Sequence, residues 1–276
     1  MTNEIAEFAK SIALETGKLL IDKWENSPLK LSSKGFRDVV TDADIASQKL
    51  LTDAILQKYP SHGFLSEEDD GSLPTSGDVI WIIDPIDGTS NFSRKSPLFS
   101  VSIAAGTPIT AGADQHQIRN GEIDVFAGVV LDPLRNELFH ATKGGGAWLN
   151  NKQIESSSTT DPADSIVALD WPRDPAERAE ILQLLNVIVH ATKTTRSIGT
   201  AALALSYVAC GRLDAYFHMN LQPWDVAAGA LIVKEAGGRF SDFLGEPWRL
   251  GEKSALATNR HLHQAYIDLI QNKPNK

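Results

Sequence analysis

Residues 81–89 read Trp-Ile-Ile-Asp-Pro-Ile-Asp-Gly-Thr, and the fold is best read outward from them. With Val79 and Ile80 ahead, they make a short unbroken apolar run, the pattern of a strand buried on both faces. The run leads straight into Asp84 and Asp87, then into a glycine and a threonine. A strand that ends in acids and a turn delivers its carboxylates to the edge of a sheet, where ligands bind. Pro85 makes the exit extended and rigid and withholds one backbone donor. Two carboxylates this close repel, and each favours its protonated form. A hard divalent cation removes that penalty, because Mg²⁺ takes carboxylate, carbonyl and water oxygens. If Gly88 and Thr89 open a helix, their backbone N–H groups suit a phosphate oxygen. The competing reading is a turn in which Asp87 caps that helix.

Upstream, Ile5, Phe8, Ala9, Ile12, Ala13, Leu19 and Leu20 recur at three- and four-residue steps and predict one face of a helix, with Pro28 beyond its end. A second helix is predicted after Thr41, with Ile45, Leu50, Leu51, Ala54 and Ile55 as its apolar positions and Pro60 closing it. Downstream, Leu98 to Ala105, Phe126 to Leu131 and Glu137 to Ala141 read as strands, and Gly144, Gly145 and Gly146 mark a tight loop before Trp148. The polar stretch 155–165, containing Pro162, is the best boundary, dividing the chain into 1–155 and 156–276. Beyond it come a strand (Ile166 to Leu169), a helix (Ala176 to Ile188), an Ala-rich helix opening near Gly199, and a strand (Leu213 to Phe217). A last helix, Val226 to Ala236, is ended by Gly237 and Gly238. The fold class is therefore α/β, with N-terminal helices on a largely antiparallel sheet and a C-terminal α/β half.

Composition narrows the function. A chain of 276 residues with 42% hydrophobic and 22% charged residues builds a sizeable core. No apolar run approaches the roughly 20 residues that span a bilayer, so no membrane partner is expected. The start MTNEIAEFAK carries acids and lacks the pattern of a signal peptide. A single cysteine, Cys210, allows no intrachain disulfide and argues against a thiol metal site; it reads as a buried, inert thiol. These features point to the cytoplasm. The formal charge of -9, without a basic run, argues against nucleic acid as the main partner.

Three further acidic segments stand apart from the first. Ser66-Glu67-Glu68-Asp69-Asp70 follows a short apolar approach, Thr41-Asp42-Ala43-Asp44 opens a helix, and Trp224-Asp225-Val226-Ala227-Ala228-Gly229 opens another. Taken singly, each reads as a solvated loop or a helix cap. Their order is specific. With Asp38 to Thr41, Asn91-Phe92, Gly144 to Trp148, Arg196 to Ala202 and Glu235 to Gly238, the chain resembles the inositol monophosphatase family of Mg²⁺-dependent, Li⁺-sensitive phosphatases. The Asp-x-Asp-Gly-Thr signature of haloacid-dehalogenase phosphatases fails here, because Pro85 stands where their nucleophilic aspartate belongs.

The resemblance implies a layered α+β sugar-phosphatase fold, two or three Mg²⁺ ions per site, and hydrolysis of a small phosphate monoester by metal-activated water. It implies that Glu67, Asp84 and the carbonyl of Ile86 hold one ion, that Asp84, Asp87 and Asp225 hold a second, and that Glu67 helps with a third. It gives Asp44 and Thr89, with Glu67, the catalytic work on the attacking water. Asp87, Gly88, Thr89 and Asp225 meet the phosphate ester, while Lys34 and Glu68 support the site. Bound ions would invert the local sign of this acidic cluster, so the net charge does not exclude a phosphate substrate. A homodimer is implied as well.

Two departures bear on specificity. Where the family often has a glutamate facing a substrate hydroxyl, seven residues before the late aspartate, this chain has His218. That residue is either an idle loop histidine or a substrate contact that both donates and accepts. The stretch 106–121 is longer than the usual connection and reads as a solvated hairpin tip. The remaining histidines form no zinc pair, and His261 and His263 read as surface residues. Inositol 1-phosphate is the first expected substrate. Fructose 1,6-bisphosphate and histidinol phosphate follow, with a nucleotide-type substrate disfavoured by Ser90 after the Asp-Gly-Thr element. The reading of a different class is a non-catalytic, metal-responsive interaction protein.

Overall fold

The computed structural model of the chain describes residues 2–26, 31–35, 38–110 and 112–272; at 31–40 and at 115 it describes the backbone alone. Helix α1 (Thr2–Asn26) buries Ile5, Ala9, Ile12, Ala13 and Leu20 on one face, as their spacing predicts. Pro28 lies outside the described residues. Strand β1 (Leu31–Gly35) pairs antiparallel with β2 (Asp38–Thr41). Helix α2 (Asp42–Lys58) departs from expectation. Ile45 faces solvent, and the buried face is Ala43, Asp44, Ser47, Gln48, Leu51, Thr52 and Ile55. Four of those seven residues are polar, so hydrophobic periodicity misplaces the face.

A seven-stranded sheet follows in chain order. It runs through β3 (Gly63–Ser66), β4 (Ile80–Asp87), the short helix α3 (Thr89–Ser93), β5 (Ser100–Pro108), the short helix α4 (Gln115–Arg119), β6 (Ile123–Asp132), β7 (Glu137–Thr142), β8 (Ala147–Leu149) and β9 (Lys152–Ile154). Only β3 and β4 pair parallel; every other neighbour is antiparallel. The chain then builds a five-stranded mixed sheet from β10 (Ile166–Leu169), α5 (Pro175–Ala191), β11 (Thr194–Arg196), α6 (Ala201–Ala209), β12 (Ala215–Met219), α7 (Pro223–Glu235), β13 (Arg239–Ser241), β14 (Ser254–Thr258) and α8 (His263–Gln271). Its strand order is β11-β10-β12-β14-β13.

These elements stack in layers. One core joins α1 and α2 to the outer face of the first sheet through Leu20, Leu51, Trp81 and Ile83. The largest core fills the space between the two sheets, where α6 and α7 meet Ile80, Ile82 and Val130 on one side and Ala168, Tyr216 and Ala257 on the other. A third packs α5 and α8 against the far face of the second sheet. Because α6 and α7 are covered on both sides, they are apolar nearly all round, with Ala, Leu and Val in α6 buried along its length.

Several expectations are corrected. The stretch 106–121 is no solvated tip: Ala113 and Ile118 are buried in the central core. His263 is half-buried and stands 2.8 Å from the Thr258 hydroxyl, while His261 is exposed as expected. Cys210 is only half-buried at the end of α6, and burial raises its thiol. No helix among the described residues is long and apolar enough to cross a membrane.

Candidate active site

Strand alternation decides which side chains meet. On β4, Ile80 and Ile82 face the central core while Trp81 and Ile83 face α1 and α2. Asp84 therefore turns inward. In a regular strand Asp87, at an odd spacing from it, would turn outward. The ladder to β5 prevents this: Asp84 pairs with Ser102 and Asp87 with Ser100, so β4 gains one residue on its partner. Such a β-bulge absorbs Pro85, which has no N–H for the ladder. It sends Ile86 to the α1 and α2 side and returns Asp87 to the inner face beside Asp84.

Gly88 follows with φ 94°, a left-handed conformation that glycine adopts without penalty. A Cβ there would also stand 3.1 Å from the carbonyl oxygens of Leu98 and Gly199. The turn opens α3 and places Thr89, whose hydroxyl lies 3.1 Å from Asp44 Oδ1 and 3.0 Å from the Ile86 carbonyl. Asp44 also closes the capping box of α2 against the N-cap Thr41, accepting from the Thr41 N–H at 2.8 Å and from the Thr41 hydroxyl. Cap and site contact coexist in one side chain.

The second sheet supplies the opposite wall by the same alternation. Ala168 and Tyr216 face inward, and so do Asp170 and His218. A cavity of about 640 Å³ opens between the sheets, lined by Glu67, Asp84, Ile86, Asp87, Gly88, Thr89 and Asp225 against Asp170, Arg173, Tyr216 and His218. It lies at the carboxyl ends of β3, β4, β10 and β12 and the amino ends of α6 and α7, the usual place for ligands in α/β sheets.

The electrostatics are those of crowded acids. Burial raises the Asp84 carboxyl well above the usual carboxylate range, and Glu67, Asp87 and Asp225 push it further. Burial, then Glu67 and Asp87, does the same to Asp225. Burial pushes Asp87 up to about 6 against hydrogen bonds from Thr200 and Ala202. Burial likewise lifts Asp44 to about 6, opposed by its bonds from Thr41 and Thr89, with Glu68 adding to the rise. Among the described residues no three His, Cys, Asp or Glu side chains stand close enough together to hold a metal ion between them. The carboxylates share a wall rather than a common centre. Their chemistry still fits a hard cation: the set is all oxygen, and each member gains from a neighbouring positive charge.

The structure brings together Glu67, Asp84, Ile86, Asp87, Gly88, Thr89, His218 and Asp225 in one cavity. Asp44 stands behind Thr89, buried, and meets the site through that hydroxyl. Glu68 acts on Asp44 through charge. Lys34 lies on β1, but its side chain is outside the description. His218 is a strand residue, not a loop residue; it is 8% exposed, and its Nδ1 has no partner among the described residues. Burial holds it at about 4, so it is neutral at neutral pH.

Two residues escaped the sequence reading. Thr200, the N-cap of α6, donates its hydroxyl to Asp87 Oδ2, and the Ala202 N–H adds a bond at 2.7 Å. Asp170 accepts from the Ile198 and Gly199 N–H groups at 3.0 and 2.8 Å and from the Ser197 hydroxyl at 2.8 Å. It thereby fixes the loop that delivers Thr200. The signal for Asp170 was present, since an acid ends the apolar run Ile166 to Leu169 just as Asp84 ends its own.

A layered α/β protein with clustered acids between its sheets fits the class of metal-dependent phosphatases that the sequence resembles, and the comparisons agree on the family. The profile of the inositol monophosphatase family matches residues 1–275. The chain is 39% identical over 235 residues to the Nus factor SuhB of Escherichia coli K12, covering 84% of this chain and 83% of that one. Its structure is similar to the extragenic suppressor protein suhB of Bartonella henselae, with TM-score 0.87 and 31% identity over 98% of this chain and 100% of that one. It is similar too to the Thermotoga maritima IMPase, with TM-score 0.84 and 30% identity over 97% of each. The chain belongs to the inositol monophosphatase family. Membership supports a phosphatase for small phosphate esters, in a family whose members are generally Mg²⁺-dependent.

Proposed function

We propose that the protein hydrolyses a small phosphate monoester in a Mg²⁺-dependent reaction, with inositol 1-phosphate as first substrate. The observation that supports this most is the convergence of Glu67, Asp84, Asp87 and Asp225 in one cavity of a chain from this family. Glu67, Asp84 and the Ile86 carbonyl would hold one ion; Asp84, Asp87 and Asp225 would hold a second; Glu67 would share a third. When bound, the ions supply Lewis acidity and lower the pKa of water. The remaining work is positioning, because phosphoryl transfer asks for little covalent help. Thr89 Oγ1 would accept a proton from the attacking water as it passes its own to Asp44 Oδ1, leaving the threonine neutral and the Asp44 carboxyl protonated. The backbone N–H groups of Gly88 and Thr89 would face the phosphate oxygens, Glu68 tunes Asp44, and Lys34 would support the site. His218, neutral and on the cavity wall, would meet a hydroxyl of the substrate, to which an imidazole can donate or accept. Fructose 1,6-bisphosphate and histidinol phosphate are the alternatives. A homodimer, sensitivity to Li⁺ and a cytoplasmic location belong to the same reading.

The test is phosphate release from these three esters with Mg²⁺, with chelator, and in Asp87→Asn and Asp225→Asn. Turnover should require Mg²⁺ and disappear in both folded variants. Full activity in a folded Asp87→Asn protein overturns the assignment. A second reading is favoured by one observation: relatives bear the name Nus factor SuhB, which describes a factor rather than a hydrolase. On that reading, as a metal-responsive interaction protein, Mg²⁺ would raise the melting temperature while no ester is cleaved. The expectation that nucleic acid is not a partner rests on the charge of -9.

A further inference from the structure

A second cavity, of about 600 Å³, lies against one flank of α7 and shares no lining residue with the first. Ala227, Ala230, Leu231 and Lys234 form its α7 wall, a single helical stripe at three- and four-residue steps. Ile123 on β6 and the buried ring of Trp248 complete an apolar floor.

The charges at its rim are unequal in their commitments. Three carboxylates are already engaged. Asp124 takes Lys143 Nζ at 2.7 Å, Glu235 takes the Gly144 and Gly146 N–H groups at 2.8 and 2.9 Å, and Glu122 takes the Thr110 hydroxyl at 3.0 Å. Lys234 and Arg249 are not engaged: neither side chain makes a hydrogen bond or ion pair with a described residue. Partial burial and the like charge of Lys143 hold Lys234 below the usual lysine range. The Trp248 indole N–H, on a ring only 6% exposed, also lacks a partner. An apolar floor with two uncommitted cations is the arrangement of a ligand pocket, where a few polar groups orient an apolar body. With three cations facing three acids around the rim, a singly charged head suits it better than a doubly charged phosphate.

We propose that this cavity binds a small organic monocarboxylate, its head between Lys234 and Arg249 and its apolar body over Ala230, Leu231 and the Trp248 ring. The site stands independently of the phosphatase reading, and binding there is measured without turnover.

The test titrates 3-phenylpropionate into the full chain carrying ¹⁵N-labelled indoles, with the Trp248 resonance assigned by Trp248→Phe. A saturable displacement of that resonance in the millimolar range is expected. The neutral isostere 3-phenylpropanamide should bind at least about tenfold more weakly. The Lys234→Gln/Arg249→Gln double variant, altered at two exposed side chains outside the active site, should lose about the same factor while phosphate release stays at the parent level. Absence of a saturable displacement overturns the proposal. So does a displacement matched by the amide or retained in the double variant.

Discussion

The hydroxyl of Thr89 stands 3.1 Å from Asp44 Oδ1 and 3.0 Å from the Ile86 carbonyl oxygen. It has one proton and two acceptors. If the Ile86 carbonyl turns to an ion, the proton goes to Asp44, and the lone pairs of Thr89 face the cavity to accept from water. Thr89→Val keeps the shape and removes the hydroxyl. On the proposed chemistry, turnover should fall by about 10²–10⁴-fold, the usual worth of a positioned proton acceptor. The Mg²⁺-induced rise in melting temperature should persist. Asp44→Asn is less clean, because Asp44 also closes the capping box of α2 from its third position, and losing part of a cap costs about 1 kcal/mol. Unchanged kcat in Thr89→Val removes the pair from the reaction.

Thr200 holds Asp87 from across the molecule, with the Ala202 N–H at 2.7 Å beside it. A hydrogen bond to a buried carboxylate contributes about 1.5–3 kcal/mol. Thr200→Val should therefore lower unfolding free energy by about that amount in urea titrations, and Thr200→Ser should restore most of it. The Val variant should also need more Mg²⁺ for half-maximal turnover, because Asp87 is no longer held in place. If Thr200→Val leaves both stability and the Mg²⁺ requirement unchanged, Thr200 has no hold on the site.

How much of this was legible varies by element, for physical reasons. Strand β4 was readable because its residues are buried on both faces and form one apolar run. Asp84 and Asp87 were readable as acids at its end. The bulge that sets them side by side was not, since it is a register shift against β5 and appears only when the two strands pair. Strict alternation alone would have separated them. Ile45 was placed on the wrong face of α2 because that helix buries Asp44, Ser47 and Gln48 behind the site. Gln48 then accepts from the Ser66 hydroxyl at 2.6 Å, next to Glu67. Asp170 carried a signal, but a lone acid after a strand had no second motif to give it meaning. Strands β13 and β14 and helix α8 are short, and no sequence expectation covered them.

The stretch 106–121 makes the sharpest contrast with its sequence reading. Ile118 is a single aliphatic residue in a polar run, yet it is 1% exposed in the central core. Next to it the Arg119 guanidinium lies 5.0 Å from the centre of the Trp224 ring, beside Asp225. A hairpin tip in solvent would tolerate Ile118→Ala within about 0.5 kcal/mol. A core position should lose about 2–4 kcal/mol, read from chemical denaturation. Arg119→Ala should cost far less stability, because it removes a cation over a ring worth about 0.5–1 kcal/mol at a partly exposed site. An Ile118→Ala protein as stable as the parent would return the stretch to solvent.

His218 gives the clearest dependence on pH. Burial holds its ring at about 4, below the usual 6.5, so the folded protein keeps it neutral where the unfolded chain is protonated. The unfolded state therefore binds more protons between those values, and stability falls as pH drops from 6.5 toward 4. Below the folded value the loss is complete, at about 3 kcal/mol for a shift of this size. His218→Gln removes the titrating group and keeps a polar side chain of similar reach. The buried carboxylates titrate in both proteins, with folded values raised, and cancel in the comparison. Relative to the parent, the variant should gain stability as pH falls through this window and show no such gain above about 7. Parallel stability curves from pH 7 to 4 would mean that His218 is protonated in the folded protein and sits in a wetter place than the wall of the cavity.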